Sequence, residues 1–257
     1  MAGSLMGVAI RVENLTKFYG GPTGTKALED VDIAIEDCEF ISIIGPSGCG
    51  KSTLLRILAG LHGFDTGSAA MFDEGVDAPR DDVGVVFQTA NLLPWLTVDK
   101  NLTLALEIRR GKAAAEAADV GAMVEMLNLK GFEDKYPHEL SGGMKHRVAI
   151  GQALMQNPRV LLMDEPFGAL DALTRDRLNI ELLRLWQRDR KTVVLITHSI
   201  SEAVLLSDRV LVLSERPGRL IADLKIDLPR PRDPSITRDM PAFGDHVVEL
   251  SRIMGVV

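Results

Sequence analysis

Residues Gly45-Pro46-Ser47-Gly48-Cys49-Gly50-Lys51-Ser52-Thr53 stand directly after an apolar run, Phe40–Ile44, and directly before a helix-like stretch that reaches Gly60. The order fits G-x-x-x-x-G-K-[ST] in the context that gives the pattern meaning, a strand running into a helix. Glycines let backbone N–H groups turn inward, and a helix N-terminus adds positive potential, so such a loop holds phosphate well. Lys51 is placed to reach the β- and γ-phosphates of a nucleotide and Ser52 to ligate Mg2+. The competing reading is a chance glycine turn, and the flanking strand and helix weigh against it.

A second glycine-rich segment, Leu140-Ser141-Gly142-Gly143-Met144, opens another helix-like stretch. A hydroxyl and bare amides at a helix start also suit an anion. Two such segments in one short chain suggest that each copy grips its own ATP and presses on that of a neighbour. A third segment, Val160-Leu161-Leu162-Met163-Asp164-Glu165, is an apolar strand ending in two carboxylates. Asp164 is placed to hold a metal through water, and Glu165 to polarise a water for in-line attack on a γ-phosphate. Acidic pairs after strands also serve as helix caps. Its position on a separate strand beyond the lysine favours the chemical role.

The first forty residues alternate apolar and polar, as half-buried antiparallel strands do (Val8 to Val12, Val31 to Ile35). From Phe40 the pattern becomes short continuous apolar runs: Phe40–Ile44, Val83–Phe87, Val160–Met163, Val193–Ile196 and Val210–Leu213. Such runs suit parallel strands covered on both faces. Helical spacing marks Leu173 to Arg190, through Leu178, Leu182, Leu185 and Trp186. No strand-like run appears between Thr89 and Pro158, where helix patterns dominate, including Val98–Arg110 and Lys112–Leu127. The fold expected is α/β, a P-loop nucleotidase core with a mostly parallel sheet, an N-terminal antiparallel β subdomain and an inserted helical subdomain. The boundaries expected are 1–88 and 159–230 for the core, 89–158 for the helical subdomain and 231–257 for a tail. Beyond Ser214 proline and charge read as an extended surface tail ending in one amphipathic segment, Phe243–Met254.

A chain of 257 residues with 46 % hydrophobic content can bury a full core. No apolar run approaches the roughly 18–20 residues that cross a bilayer, and Met1–Gly7 lacks the pattern of a secretory signal. Two cysteines, Cys38 and Cys49, fit a reducing compartment, so a soluble cytoplasmic protein is expected. The formal net charge of −7 disfavours a nucleic-acid partner. Cys49 reads as small filler within the loop; the alternative is a thiol exposed without nucleotide and protected by it.

These segments together resemble the nucleotide-binding subunit of an ABC transporter, and the resemblance covers nearly the whole chain. It maps the family signature onto Leu140–Met144, its metal-and-base pair onto Asp164-Glu165, and the following loop onto Gly168-Ala169-Leu170-Asp171. It implies a switch histidine at His198, a γ-phosphate-sensing and metal-ligating glutamine at Gln88, and an adenine-stacking aromatic at Tyr19. It further implies that two subunits close head to tail on two ATP molecules. Ser141, Gly142 and Gly143 of one then meet the γ-phosphate held by the other's Lys51, His198 keeps Glu165 and the water in line, and Asp171 carries signals across the dimer. Met144, His146 and Gly151-Gln152 stand where the family pattern has other residues, which bears on the packing of the signature helix and on whether the second subunit is identical.

The apolar loop Thr89 to Val98, with Pro94 and Trp95, suits a groove that docks a short helix from a membrane subunit. Pro94–Val98, Asp164–Thr174, Arg216-Pro217-Gly218-Arg219 and Leu228–Arg232 resemble the ATPases of nitrate, sulfonate and taurine importers. The resemblance implies an energy-coupling ATPase on the cytoplasmic face of a bacterial inner membrane. Its partners would be integral membrane permease subunits and, indirectly, a periplasmic solute-binding protein. The alternative is a soluble ABC ATPase of the iron–sulfur assembly type. An export or lipid-transport ATPase is a weaker third reading.

Overall fold

The computed structural model describes residues 7–21, 23–168 and 170–256. Ala169, inside the loop expected after the carboxylate pair, and Met1–Met6 of the leader reading lie outside the described residues. The chain divides into two compact units, Met1–Arg80 with Leu183–Val257, and Asp81–Leu182. The expected helical segment, 89–158, falls within the second.

In the first unit, β1 (Val8–Tyr19) and β2 (Thr25–Glu36) pair antiparallel. On β2, Val31, Ile33 and Ile35 are buried while Asp32, Ala34 and Glu36 are exposed, the period-two pattern of a sheet with one wet face. All five residues of β3 (Phe40–Ile44) are buried. The phosphate loop follows, then α1 (Lys51–Leu58), which ends where Gly60 takes a φ of 70°. A side chain there would sit 2.2 Å from the Ala78 backbone, so glycine terminates this helix by necessity. The strands β4 (Thr66–Met71) and β5 (Glu74–Gly75) complete a sheet in the order β2-β1-β4-β5. The composition of β4, Thr-Gly-Ser-Ala-Ala-Met, hides it from a hydrophobicity pattern.

The second unit opens with β6 (Val83–Val86). The helices α2 (Val98–Arg110), α3 (Lys112–Glu116), α4 (Val120–Met126) and α5 (Gly142–Leu154) follow, then β7 (Val160–Asp164), parallel to β6. Val98, Leu102, Val124, Leu127, Leu129, Leu140 and Val148 form its helical core. Each such buried aliphatic is worth about 1.5–3 kcal/mol of transfer free energy. The expected stretch Lys112–Leu127 is two helices, because Asp119 breaks it and caps α4 by accepting from Ala122 N at 2.9 Å. The long helix α6 (Ala172–Arg188) begins in this unit.

The chain then returns to the first unit through β8 (Thr192–Ile196), α7 (Ile200–Leu206) and β9 (Arg209–Leu213). Both strands lie parallel to β3, one on each side. The expectation of an extended surface tail is corrected here. A further strand, β10 (Leu220–Lys225), pairs antiparallel with β9, and α8 (Pro234–Thr237) and α9 (Pro241–Ile253) follow. The tail is anchored by charge at the end of α7. Buried Arg232 donates to the carbonyls of Val204, Leu205 and Ser207 at 3.1, 3.0 and 2.7 Å. Burial, with the charge of Arg230 beside it, pushes the Arg232 guanidinium down to about 10. Arg230 donates to Asp208 and to Leu206 O, both at 2.7 Å, and stacks 4.1 Å from the Trp186 ring centroid. No helix among the described residues is long and apolar enough to cross a membrane.

Candidate nucleotide site

The loop from Gly45 to Ser52 owes its shape to backbone that side chains disfavour. Gly48 and Gly50 take φ values of 74° and 108°. A Cβ at Gly50 would meet Ala27 O and Leu28 Cδ2, both at 2.7 Å. Gly50 caps α1 with no side-chain hydrogen bond of its own, where most helices carry a capping side chain. Uncapped amides at a helix start, flanked by a lysine, form a receptor for an anion. Lys51 Nζ is buried and donates to Gly45 O at 2.8 Å and Pro46 O at 2.9 Å. Its remaining neighbour, Cys49 Sγ at 3.9 Å, is a poor acceptor, so a phosphate oxygen is the better partner for the third ammonium hydrogen. Cys49 itself is only 1 % exposed, which corrects the alternative of an open thiol and leaves the filler reading.

Tyr19 lies beside this loop with 42 % of its surface exposed. Its hydroxyl is hydrogen-bonded to Thr53 Oγ1 and His62 Nδ1, both at 3.2 Å, and its ring meets His62 edge-on. The tip is tethered to α1, and the Lys17 ammonium lies 5.8 Å from the ring centroid, while the residue stays partly exposed. His198 follows β8 and is exposed. Its placement is set by its neighbours: Thr197 Oγ1 donates to Glu202 and accepts from Ser199 N, and Ser199 caps α7 by accepting from Glu202 N at 3.3 Å.

In the second unit, Asp164 is the buried last residue of β7 and Glu165 is half-buried beyond it. Glu165 takes a φ of 46°, a left-handed conformation that a carboxylate side chain adopts at a cost of order 1–3 kcal/mol. The turn is closed by Gly168 N donating to Glu165 O at 3.0 Å. Gln88 is exposed two residues after β6. Asp171 is exposed and caps α6, accepting from Thr174 N at 3.0 Å; the Thr174 hydroxyl first, and then this backbone bond, hold its carboxyl below the usual range.

The second glycine segment differs from the first. Ser141 caps α5 by accepting from Met144 N at 3.3 Å. A Cβ at Gly143 would lie 2.8 Å from Thr174 Cγ2, and one at Gly142 an ordinary 3.5 Å from Leu170 Cδ2. The structure thus brings Ser141–Gly143 beside the loop that carries Asp171. The unusual residues of α5 have local causes. His146 is buried, and its Nδ1 lies 2.6 Å from Pro166 O. A carbonyl only accepts, so Nδ1 carries the proton, and burial pushes the imidazole pKa below its ordinary value. Gly151 is crowded: a Cβ would sit 2.4 Å from Leu127 Cδ1 and 2.6 Å from Leu102 Cδ2, so those side chains would have to shift to admit it.

The roles of two residues escaped the sequence reading. Fully buried Asn101 accepts from Leu93 N at 2.8 Å and donates to the carbonyls of Leu93, Leu96 and Thr97 at 3.2, 2.9 and 3.0 Å. It thereby shapes the loop on which Trp95 stands 69 % exposed. Its signal was a polar residue on the apolar stripe of α2. The other is Arg216, whose guanidinium is bound to the phosphate loop. No group of three or more histidine, cysteine, aspartate or glutamate side chains that could hold a metal occurs among the described residues.

Residues 28–168 match the ABC transporter family model. An uncharacterized ABC transporter ATP-binding protein of Methanocaldococcus jannaschii is 50 % identical over 230 residues, 89 % of this chain and 86 % of that protein. The aliphatic sulfonates import ATP-binding protein SsuB of Bacillus licheniformis is 44 % identical over 93 % of this chain and 90 % of its own. Among solved structures, a dimeric post-hydrolysis state of the ATP-binding cassette MJ0796, bound to ADP and Pi, superposes with a TM-score of 0.73 at 33 % identity. That likeness covers 86 % of this chain and 100 % of the other.

Proposed function

The chain belongs to the ABC transporter ATP-binding family, and from that premise we propose that it is the ATP-hydrolysing, energy-coupling subunit of an importer for a small anion or sulfonate-type solute. The observation that carries the nucleotide role is the uncapped start of α1, where Gly48 and Gly50 hold left-handed backbone ahead of Lys51. The solute class is supported by the 44 % identity with the sulfonate import protein.

Each residue then has a role. The loop from Gly45 to Thr53, with Pro46, Ser47 and Cys49 in it, wraps the phosphates through its free N–H groups, of which Pro46 has none, and Lys51 neutralises β- and γ-oxygens. Tyr19 stacks on adenine. Ser52, Gln88 and Asp164 would hold Mg2+, which supplies charge neutralisation on the phosphate oxygens. Glu165 accepts the proton of the attacking water, and His198 hydrogen-bonds the γ-phosphate and aligns the water. Ser141, Gly142 and Gly143 contact the γ-phosphate of a second subunit in a head-to-tail dimer, and Asp171 reports across it. The loop around Trp95 docks on a membrane permease subunit, with a periplasmic solute-binding protein beyond the membrane. These partners place the chain at the cytoplasmic face of a bacterial inner membrane.

The test is Glu165→Gln. It is expected to retain ATP, accumulate as a dimer by light scattering when ATP is added, and lose turnover. Normal hydrolysis in this variant removes the general-base role. Uptake in cells carrying Trp95→Ala tests the docking role: basal hydrolysis persists and transport is lost, whereas intact uptake contradicts it.

A further inference from the structure

The segment after β9 turns back over the phosphate loop. Arg216 donates to Gly48 O through both Nε, at 3.0 Å, and Nη2, at 2.9 Å. Two residues later Gly218 is pressed so close that a Cβ there would lie 2.1 Å from Cys49 O. Gly218 N donates to Ala27 O at 3.0 Å, and Gly218 O accepts from Glu29 N at 3.0 Å. The same stretch of β2 crowds Gly50 from behind, so loop, strand and returning segment form one stitched unit. Ser214 closes the turn internally, its hydroxyl donating to Pro217 O and accepting from Arg219 N, both at 3.0 Å.

The consequence follows from peptide geometry. In a trans peptide the C=O and N–H point in opposite directions. A guanidinium fork on Gly48 O therefore also fixes the Cys49 N–H, which bonds back to Pro46 O at 3.3 Å. Gly48, at a φ of 74°, is a residue that samples many conformations when unconstrained. Pinning it from outside removes that freedom before a ligand arrives, which raises affinity by preorganisation.

We infer that Arg216, Pro217 and Gly218 form a strap that sets the phosphate loop in its binding geometry, with Arg216 a positioning residue for ATP. The inference rests on the reading of Gly45–Ser52 as the phosphate site. It assigns Arg216 no contact with the reacting atoms, so its loss acts on affinity and leaves the chemical step largely intact.

The experiment uses the full chain and measures ATP affinity by calorimetry, KM and kcat for hydrolysis, and Tm. Loss of a charge-assisted fork predicts that Arg216→Ala weakens ATP affinity and raises KM by about tenfold, with kcat within about twofold. Arg216→Lys recovers part of the affinity, because an ammonium keeps the charge and loses the planar fork. Lys225→Ala removes a cation from the exposed Lys225–Asp227 pair and leaves affinity unchanged. Lys51→Ala serves as the reference. If Lys51→Ala binds ATP normally, the phosphate-site reading itself is wrong. If Lys51→Ala fails to bind ATP while Arg216→Ala binds it like the wild type, the strap inference alone is overturned. A fall in Tm and kcat with unchanged KM in Arg216→Ala also overturns it, as that marks a role in stability only.

Discussion

The two glycine-rich helix starts look alike on paper and differ in what constrains their glycines. At α1, Gly50 is demanded by this chain itself: its φ of 108° and the atoms 2.7 Å from a Cβ rule out any side chain. The residue at the start of that helix, Gly50, supplies no side-chain cap. At α5 the cap is present in Ser141, and Gly142 has room for a methyl group, 3.5 Å from its nearest neighbour. Among the described residues, nothing requires Gly142 to be glycine. A bare Cα there is explained by something that approaches from outside, as the proposed dimer contact on a second copy's nucleotide would.

Four substitutions break or sharpen this contrast. The largest effect is expected at the first loop: Lys51→Ala should cut ATPase turnover by about 10²–10³-fold, the range for removing a positive group from developing charge. A steady-state phosphate-release assay checks it, with a modest fall in Tm because two loop carbonyls lose their ammonium donor. At the second loop, Gly142→Ala should leave Tm and single-subunit ATP affinity as in the wild type and still reduce turnover by about tenfold, the order expected when one phosphate contact is displaced. Full turnover in that variant would remove the trans contact. Gly151→Ala, deeper in α5, should act oppositely, on stability before function. Overpacking against Leu127 and Leu102 costs about 1–3 kcal/mol, read by calorimetry as a fall of roughly 2–4 °C for each of these.

The smallest effect concerns His146. Its folded pKa is depressed by burial, so the folded state binds fewer protons than the unfolded one in the window below the ordinary value of 6.5. Its contribution to stability is therefore complete above that pH and is lost as pH falls toward the folded pKa. His146→Gln should flatten the decline in Tm as pH falls below 6.5. An unchanged slope would assign the acid sensitivity to other groups.

The α/β order and the antiparallel start were legible because each rests on a strong local pattern. Alternation marked β1 and β2, and continuous apolar runs marked β3 and β6 to β9. Elements built from small or charged residues were not. The residues of β4 carry little hydrophobic signal, and β10 alternates but sits among prolines and arginines that read as loop. The burial of Arg232 was invisible for the same reason, since its partners are backbone carbonyls at the end of α7. At the candidate site the residues proposed to touch phosphate carry sequence patterns of their own. Those that hold them, Arg216 through a carbonyl and Asn101 through four backbone groups, act on atoms every residue possesses. Spacing along the chain cannot reveal them.

The most direct test of paired action is the dependence of ATPase rate on subunit concentration, followed alongside light scattering. If ATP is cleaved between two copies, specific activity should climb with concentration and track the dimer fraction, and Gly142→Ala should abolish the climb. A specific activity that stays constant down to concentrations where only single subunits scatter would contradict the account.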